Sequence, residues 1–268
     1  MKNRYQKTFK DLDKNSQGAF VPFVTLHDPD FERSIEIIRC LIDNGADALE
    51  LGLPFSDPIA DGPVIQKASI RALGSGATTK RSFEIIKRIR LDYPEIPIGL
   101  LVYSNLVIAK GIENFYKLAY QAGVDSVLIA DVPIIEAAPF IEKAKAQNIQ
   151  PIFIATPNAP NETLKKVATY SQGYTYLLSR AGVTGTEVKA EMPIGNILNV
   201  LKQHSAPPSL LGFGISNTEQ VKQAIELDVD GVISGSAVVR VIEENLENQQ
   251  TLIDNLSVFI TKMKQSTK

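Results

Sequence analysis

The chain repeats one short pattern: an amphipathic segment, a glycine or polar residue, a brief apolar run and a loop. The pattern occurs in NGADALELG (44–52), QAGVDSVLIADVP (121–133), SQGYTYLLSRAG (171–182) and ELDVDGVISGSA (226–237). The apolar runs lack polar alternation, which is typical of parallel strands that are covered on both faces. This repeated pattern predicts an α/β protein with a parallel sheet.

Four more apolar runs complete a set of eight predicted strands: AFVPFVT (19–25), IPIGLLVY (96–103), IQPIFIA (149–155) and SLLGFG (209–214). Amphipathic stretches with helical spacing lie at 31–43, 80–93, 112–123, 134–147, 161–171, 196–204 and 218–228. Eight strands that alternate with helices predict a (β/α)₈ TIM barrel, preceded by an extra N-terminal helix and ended by helical residues 241–265. An open doubly wound sheet is the alternative, but no G-x-G-x-x-G motif follows the first strand.

Length and composition agree with a single barrel domain over residues 1–268, since such barrels have roughly 250 residues. The chain is 44% hydrophobic and 22% charged with a net charge of -2, so we expect no nucleic-acid partner. No apolar run approaches the roughly 20 residues of a membrane span, and the N-terminus lacks the apolar region of a signal peptide. We therefore expect a soluble cytoplasmic protein without a membrane partner.

Metal binding is not expected from the sequence. The chain has one cysteine and two histidines, His27 and His204, which are far apart in sequence. These residues do not form the ligand spacing of a zinc site.

The second predicted strand contains an acid, Glu50, between Leu49 and Leu51. Side chains alternate along a strand, so Glu50 shares a face with Ala48 and points away from the two leucines. If that face is the barrel interior, burial raises the pKa of Glu50 toward neutrality and suits it to acid–base catalysis. A structural ion pair with a basic residue is the alternative interpretation.

The loop after this strand, PFSDPIADGP, carries Asp57 and Asp61 among three prolines. The prolines restrict the backbone, so the loop is expected to hold a defined shape. Aspartate before proline or glycine is also ordinary turn chemistry. That explanation is favoured for Asp57, and the role of Asp61 stays open at this point.

Glycine-rich turns follow the last three predicted strands: GVTG (182–185), GFGIS (212–216) and SGSA (234–237). The latter two run directly into helices, whose first N–H groups attract anions. In barrels the loops after strands seven and eight form a recurrent phosphate site. Together with Glu50, these turns indicate proton-transfer chemistry on a small phosphorylated metabolite.

Several of these motifs also resemble the tryptophan synthase α chain family. ELGLPFSDPIADGP and YTYLLSRAGVTG are specific to that family, and GAFVPFVT, VDSVLIADVP, GFGIS and GVISGSA occur in the expected order over about residues 18–245. The family cleaves indole-3-glycerol phosphate to indole and glyceraldehyde 3-phosphate, a lyase reaction in tryptophan biosynthesis.

The resemblance implies roles for individual residues. Glu50 is expected to protonate indole C3 and to take the hydroxyl proton, and Asp61 to accept a hydrogen bond from the ring N–H. Tyr176 matches the family tyrosine near the catalytic glutamate, and Arg180 to about Pro193 matches a mobile loop whose Thr184 meets Asp61. The implied phosphate contacts are Gly185, Gly214, Gly235 and Ser236, and the implied indole contacts are Phe23, Leu101, Leu128, Phe213 and Ile233.

The family acts in an α₂β₂ complex, in which a β subunit with pyridoxal phosphate receives indole through a tunnel. Pro54, Phe55, Ser56, Asp57, Pro58 and Asn105 match the rim that faces this partner, together with Tyr103 and Asp131 to Pro133. The resemblance implies no cofactor and no metal in this chain.

One residue departs from the family pattern, because His27 stands where glycine is usual. A histidine there is a tolerated loop change or an added titrating group near the mouth. Two other functions remain as alternatives: a sugar-phosphate isomerase on the same barrel, and a barrel retained mainly as an allosteric partner for β. The presence of both Glu50 and Asp61 favours the lyase.

Overall fold

The computed structural model describes residues 3–178 and 194–268, and every strand pair in these residues is parallel. The strands are β1 (Ala19–Thr25), β2 (Leu49–Gly52), β3 (Ile98–Val102), β4 (Ser126–Ile129), β5 (Gln150–Ile152), β6 (Ile154–Ala155), β7 (Thr175–Leu178), β8 (Ser209–Gly212) and β9 (Gly231–Ser234). They form one sheet in the order β5-β4-β3-β2-β1-β9-β8-β7-β6.

The two ends of that order meet, because only Phe153 separates β5 from β6 along the chain. β5 pairs with β4 and β6 pairs with β7, so the two short strands are halves of the fifth predicted strand. The backbone N–H of Tyr176 donates to the Phe153 carbonyl at 3.1 Å across this junction. The TIM barrel predicted from the sequence is thus confirmed, and its sixth to eighth strands are β7, β8 and β9.

The helices are α1 (Arg4–Lys14), α2 (Phe31–Asp43), α3 (Pro63–Gly74), α4 (Thr79–Asp92), α5 (Ser104–Ile108), α6 (Ile112–Ala122), α7 (Ala138–Ala146), α8 (Asn161–Tyr170), α9 (Ile194–Gln203), α10 (Thr218–Glu226), α11 (Ser236–Glu244) and α12 (Gln249–Gln265), with a 3₁₀ turn at Ile134–Glu136. Most match the predicted segments within a few residues, but α3 and α5 were missed. Proline stands at the start of α3, where its missing N–H costs no helical hydrogen bond. None of the described helices is long and apolar enough to cross a membrane.

Side-chain alternation on β2 sorts the core into two layers. Leu49 and Leu51 are fully buried in the outer layer between the sheet and the helices. Ala48 instead packs inside the barrel with Val21 and Leu128. Burial of each of these leucines stabilises the fold by roughly 1.5–3 kcal/mol, and a shift of β2 by one residue would expose both to the barrel interior. The pairing register of β2 is therefore strongly fixed, and Glu50 points inward.

The N-terminal helix α1 closes the amino-terminal end of the barrel. Tyr5 of this helix is 1% exposed and packs in the inner layer, where its hydroxyl hydrogen-bonds the Ser126 hydroxyl at 2.9 Å. Arg4 and Arg90 pair with the two oxygens of Asp125, each at 2.7 Å. The helix thus covers this end, and the cavity described below lies at the opposite end, where the strands have their carboxyl termini.

Candidate active site

A small cavity, partly open to solvent, lies at the carboxyl ends of the strands. Ten residues predicted from the sequence line it: Phe23, Glu50, Asp61, Leu101, Tyr176, Phe213, Gly214, Ile233, Gly235 and Ser236. Ile215 and Ala237, which belong to the predicted GFGIS and SGSA turns, also line it, as does Ile65, which was not predicted. The fold thus gathers acidic, apolar and glycine-rich motifs around one space, although Phe23 and Ser236 are 213 positions apart in sequence.

Glu50 lies in the wall of the cavity on β2 and is only 1% exposed. Burial raises the pKa of its carboxyl from 4.5 to about 7, since the charged form loses its hydration. The nearby Asp61 raises this pKa further, and a hydrogen bond from Tyr174 opposes the shift. No salt bridge pairs Glu50 with a basic residue among the described residues, so the structural ion-pair interpretation has no support there.

Asp61 lies just before α3, in the loop that follows β2. Burial raises the pKa of its carboxyl to about 6, and the Tyr103 hydroxyl opposes this by donating to Oδ2 at 3.0 Å. The loop is tied to the helix by Gln66, whose side-chain amide donates to the Asp61 carbonyl at 2.7 Å. The site therefore holds two carboxyls that take up protons close to neutral pH.

Tyr174 was missed in the sequence. Its hydroxyl donates to Oε1 of Glu50 at 3.0 Å, while Tyr176, on the same face of this segment, lines the cavity. The signal was present in YTYLLS, because both tyrosines alternate with Thr175 and face inward. The sequence alone does not show which of the two reaches the glutamate.

The opposite side of the cavity is formed by the predicted phosphate residues. Gly214 and Phe213 both have positive φ, +78° and +64°, which turns the chain after β8 sharply. Helix α11 begins at Ser236, directly after Gly235, and no side chain of the described residues caps it. The first turn of α11 thus lines the cavity with Gly235, Ser236 and Ala237, and the unpaired N–H groups of a helix start suit an anion.

Two glycines make room for the aromatic rings of the cavity. A Cβ atom at Gly52 would lie 2.7 Å from the Phe23 ring, and one at Gly212 would overlap the Tyr176 ring. Neither glycine has a positive φ that requires its presence. Close packing against the two rings therefore explains both glycines.

Leu128, predicted to contact indole, does not line the same cavity. It lies in an adjoining apolar groove, which shares Asp61, Leu101, Tyr176 and Phe213 with the cavity. Thr184 and Gly185, together with the predicted loop from Arg180 to Pro193, lie outside the described residues.

His27 is fully buried beyond the end of β1 and does not line the cavity. Its φ is +73°, in the left-handed region that favours glycine, which is the residue expected here from the family resemblance. The ring packs edge-on against Phe31 at 5.3 Å, and the backbone N–H donates to the Ser34 hydroxyl at 3.0 Å. Burial lowers the pKa of His27, which favours the neutral ring, and the ring lies outside the cavity.

The predicted partner-facing residues are not equally accessible. Pro54 is buried and Phe55 is half-buried, whereas Ser56, Asp57 and Asn105 are exposed. Three large apolar residues are exposed beside them: Ile59 (75%), Ile108 (52%) and Ile135 (71%). We call the surface formed by Phe55–Pro58, Ile59, Asn105, Ile108 and Ile135 the rim surface.

The described part of the chain contains no group of three or more His, Cys, Asp and Glu side chains that could hold a metal ion. The absence of a metal or cofactor in the reaction stays a prediction.

Known proteins similar to this chain share its whole length. The α chains of tryptophan synthase from Vibrio parahaemolyticus and Shewanella oneidensis are each 58% identical to it, over 266 and 265 residues. The alignments cover 99% of this chain and 99% and 95% of theirs.

Solved structures agree with these sequences. The tryptophan synthase α subunit of Legionella pneumophila superimposes with a TM-score of 0.89 at 29% identity, covering 100% of this chain and 99% of that one. A chain from the tryptophan synthase α₂β₂ complex of Pyrococcus furiosus gives a TM-score of 0.83 at 33% identity, over 92% and 98% of the two chains. The family model for the tryptophan synthase alpha chain matches residues 9–268, so this chain belongs to the tryptophan synthase α chain family.

Proposed function

We propose that this chain cleaves indole-3-glycerol phosphate to indole and glyceraldehyde 3-phosphate in tryptophan biosynthesis. The observation that carries the proposal is the pair of buried carboxyls in one cavity, Glu50 with a pKa of about 7 and Asp61 with a pKa of about 6. At neutral pH the first is partly protonated and the second is largely ionised. The retro-aldol cleavage needs both a protonated group that acts as an acid and an ionised group that supplies a negative charge.

The first step is protonation of indole C3, which makes that carbon a leaving group. Glu50 donates the proton, and positive charge develops on the ring nitrogen. The ionised Asp61 accepts a hydrogen bond from the ring N–H and stabilises this charge. Since the charge exists only after protonation, the interaction favours the transition state over the bound substrate.

The second step breaks the carbon–carbon bond. The Glu50 carboxylate, having lost its proton to C3, takes a proton from the side-chain hydroxyl next to the ring. The O–H electrons form the aldehyde C=O, and the electrons of the broken bond return to the ring and neutralise its nitrogen. Glu50 ends protonated as it began, and the proton on C3 leaves with indole.

The phosphate of the substrate is proposed to bind where Gly214, Gly235 and Ser236 meet the first turn of α11. Backbone N–H groups and the partial positive charge of the helix suit a phosphate group without a lysine or arginine. The aromatic and aliphatic wall, including Phe23, Leu101 and Ile233, would hold the indole ring. Thr184 and Gly185 remain proposed contacts of the same substrate.

We further propose that the reaction in this chain needs no metal and no cofactor. Both proton transfers have a carboxyl that can perform them, and no electron or group is left over. Pyridoxal phosphate is expected in the partner β subunit.

The rim surface is proposed to bind a β subunit in an α₂β₂ complex. A similar chain of known structure comes from the α₂β₂ complex of Pyrococcus furiosus. The rim surface combines exposed isoleucines with polar residues, a composition that suits a protein interface. Indole released in the cavity would pass to this partner. The cytoplasmic location stays a prediction that fits such a biosynthetic role.

The proposal is tested by incubating the purified chain, with and without a tryptophan synthase β chain, with indole-3-glycerol phosphate. Equal amounts of indole and glyceraldehyde 3-phosphate are expected. Conversion of a sugar phosphate without any indole would instead favour the isomerase alternative, and no turnover at all would favour a non-catalytic partner.

A further inference from the structure

We infer that Arg71 is a positioning residue of the active site, which sets the distance between Asp61 and the proposed phosphate site by tying helices α3 and α11 to the segment after β1. The inference rests on the proposed function and adds a residue to that same site. Arg71 lies in the last turn of α3 and does not line the cavity, so it acts only through the residues that do.

The guanidinium of Arg71 holds a buried carboxylate. Its Nε and Nη2 donate to the two oxygens of Asp28 at 2.7 and 2.9 Å, and the Asp28 side chain is only 1% exposed. A planar guanidinium that meets both oxygens of a carboxylate fixes the direction of the pair as well as its distance. Asp28 follows β1, the strand that places Phe23 in the cavity wall, so the pair fixes the end of α3 relative to that strand.

A second ion pair connects Arg71 to α11. Its Nη1 lies 3.8 Å from Oε1 of Glu243, near the end of that helix, and Lys67 of α3 reaches the same oxygen at 3.0 Å. The guanidinium therefore lies between two carboxylates, those of Asp28 and Glu243, which belong to different elements of the barrel.

The two helices that Arg71 connects both reach the cavity at their first turns. Helix α3 begins two residues after Asp61 and contributes Ile65, whereas α11 begins at Ser236 in the proposed phosphate site. The Gln66 side chain donates to the Asp61 carbonyl at 2.7 Å, so a movement of α3 carries Asp61 with it.

The apolar contact between these helices is small. Ile65 and Ala68 of α3 pack with Val239 of α11 and with Phe23 of β1 in one buried cluster. Apolar burial is non-directional, so this cluster holds the helices together without fixing how they slide along each other. The ion pairs of Arg71 supply the missing direction.

The distance between the two helix starts matters because the substrate is proposed to be held at both ends. Its phosphate, bound at the start of α11, places the indole ring, and Asp61 must then meet the ring N–H. A misplacement of about 1 Å in such a geometry can cost about a hundredfold in rate. A looser α3 would leave the phosphate bound and Asp61 out of place.

The test compares indole release from indole-3-glycerol phosphate with release from indole-3-glycerol, which lacks the phosphate, by Arg71→Lys. Lysine keeps a positive charge beside Asp28 but lacks the planar fork that bonds both carboxylate oxygens. The ratio of the two kcat/KM values, phosphorylated over unphosphorylated, is expected to fall by about tenfold, because a substrate without phosphate can shift to meet Asp61. A loss of folded enzyme would lower both values equally and leave the ratio unchanged.

Glu243→Gln weakens only the link to α11 and keeps the Arg71–Asp28 pair, so it decides the question should Arg71→Lys not fold. It is expected to lower the ratio by about two- to threefold, the effect of a partly exposed ion pair. Arg39→Lys is the matched control, since Nε and Nη2 of Arg39 bond an oxygen of Asp92 on the exposed helix surface, outside the cavity. It should keep the wild-type ratio.

If indole-3-glycerol reacts too slowly to measure, kcat per folded enzyme and the inhibition constant of inorganic phosphate replace the ratio. In Arg71→Lys the first should fall by about tenfold, and the second should change by less than about twofold. An unchanged ratio or an unchanged kcat per folded enzyme would overturn the inference, as would phosphate inhibition that weakens as much as kcat. Failure of the wild type to release indole from indole-3-glycerol phosphate would overturn the proposed function instead, so the two failures are distinguishable.

Discussion

The hydroxyl of Tyr174 donates a hydrogen bond of 3.0 Å to Oε1 of Glu50 inside the barrel. The Tyr174 ring lies 5.5 Å from that of Tyr5, which belongs to the N-terminal helix and bonds Ser126. Helix α1, which closes the amino-terminal end of the barrel, thus packs through Tyr5 against Tyr174, the residue that hydrogen-bonds Glu50. The hydrogen bond favours the ionised carboxylate and limits how far burial raises the pKa of Glu50.

Tyr174→Phe should therefore raise the pKa of Glu50 above its value of about 7. Because the reaction begins with protonated Glu50, the basic limb of kcat/KM for indole release should move to higher pH. The maximum should fall by no more than about a hundredfold, since one hydrogen bond to a charged group contributes about 1.5–3 kcal/mol. Tyr170→Phe, a change at a partly exposed helix end, is the control and should leave both limbs in place.

The strands and the general position of the site could be predicted because they depend on local patterns. The continuous apolar runs predict the parallel sheet. The position of Glu50 between two leucines predicts which face of β2 points into the barrel. Helix α3 was missed because its first residue, Pro63, also ends a proline-rich loop. Of its buried residues only Ile65 is large, while Ile70 and Leu73 are exposed. The break between β5 and β6 at Phe153 has no sequence signal, since the apolar run continues through it.

The contacts between distant residues could not be predicted. Tyr174 and Tyr176 share one face, and only the depth of each in the barrel decides which bonds Glu50. Tyr103 was assigned to the rim, whereas its hydroxyl also reaches Asp61 across 42 positions of sequence. Such pairs are brought together by the curvature of the closed sheet, which cannot be inferred from a short stretch of sequence.

Burial of Glu50 should cost stability at high pH. Its folded pKa of about 7 lies above the ordinary 4.5, so the folded state binds more protons and loses stability as pH rises between these values. Glu50→Gln should thus be more stable than the wild type at pH 8, by up to about 3 kcal/mol, and the gain should vanish below about pH 4.5. Urea unfolding at both pH values measures this.

Glu247→Gln, at an exposed position, is the control for that comparison and should show no such pH-dependent gain. A Glu50→Gln gain of equal size at both pH values would mean that packing, and not the titration of the carboxyl, limits stability at this site.

Gly212→Ala should impair the cavity without unfolding the barrel. The added methyl group would overlap the Tyr176 ring, which must turn into the space where substrate is proposed to bind. KM should rise by about tenfold or more, equivalent to over about 1.4 kcal/mol of lost binding. Gly195→Ala is the matched control, because nothing lies within 4 Å of a Cβ there, and it should keep the wild-type KM. A wild-type KM in Gly212→Ala would show that the Tyr176 ring can move aside without entering the proposed substrate space.

The central claim is that Glu50 transfers the protons. The most direct test is the rate of indole release by Glu50→Gln at neutral pH in the presence of a β chain. Glutamine keeps the size and shape of the side chain but neither donates nor accepts the proton. The account predicts rapid indole release by the wild type and a loss of at least about a hundredfold in Glu50→Gln. Equal rates in a folded Glu50→Gln would contradict it.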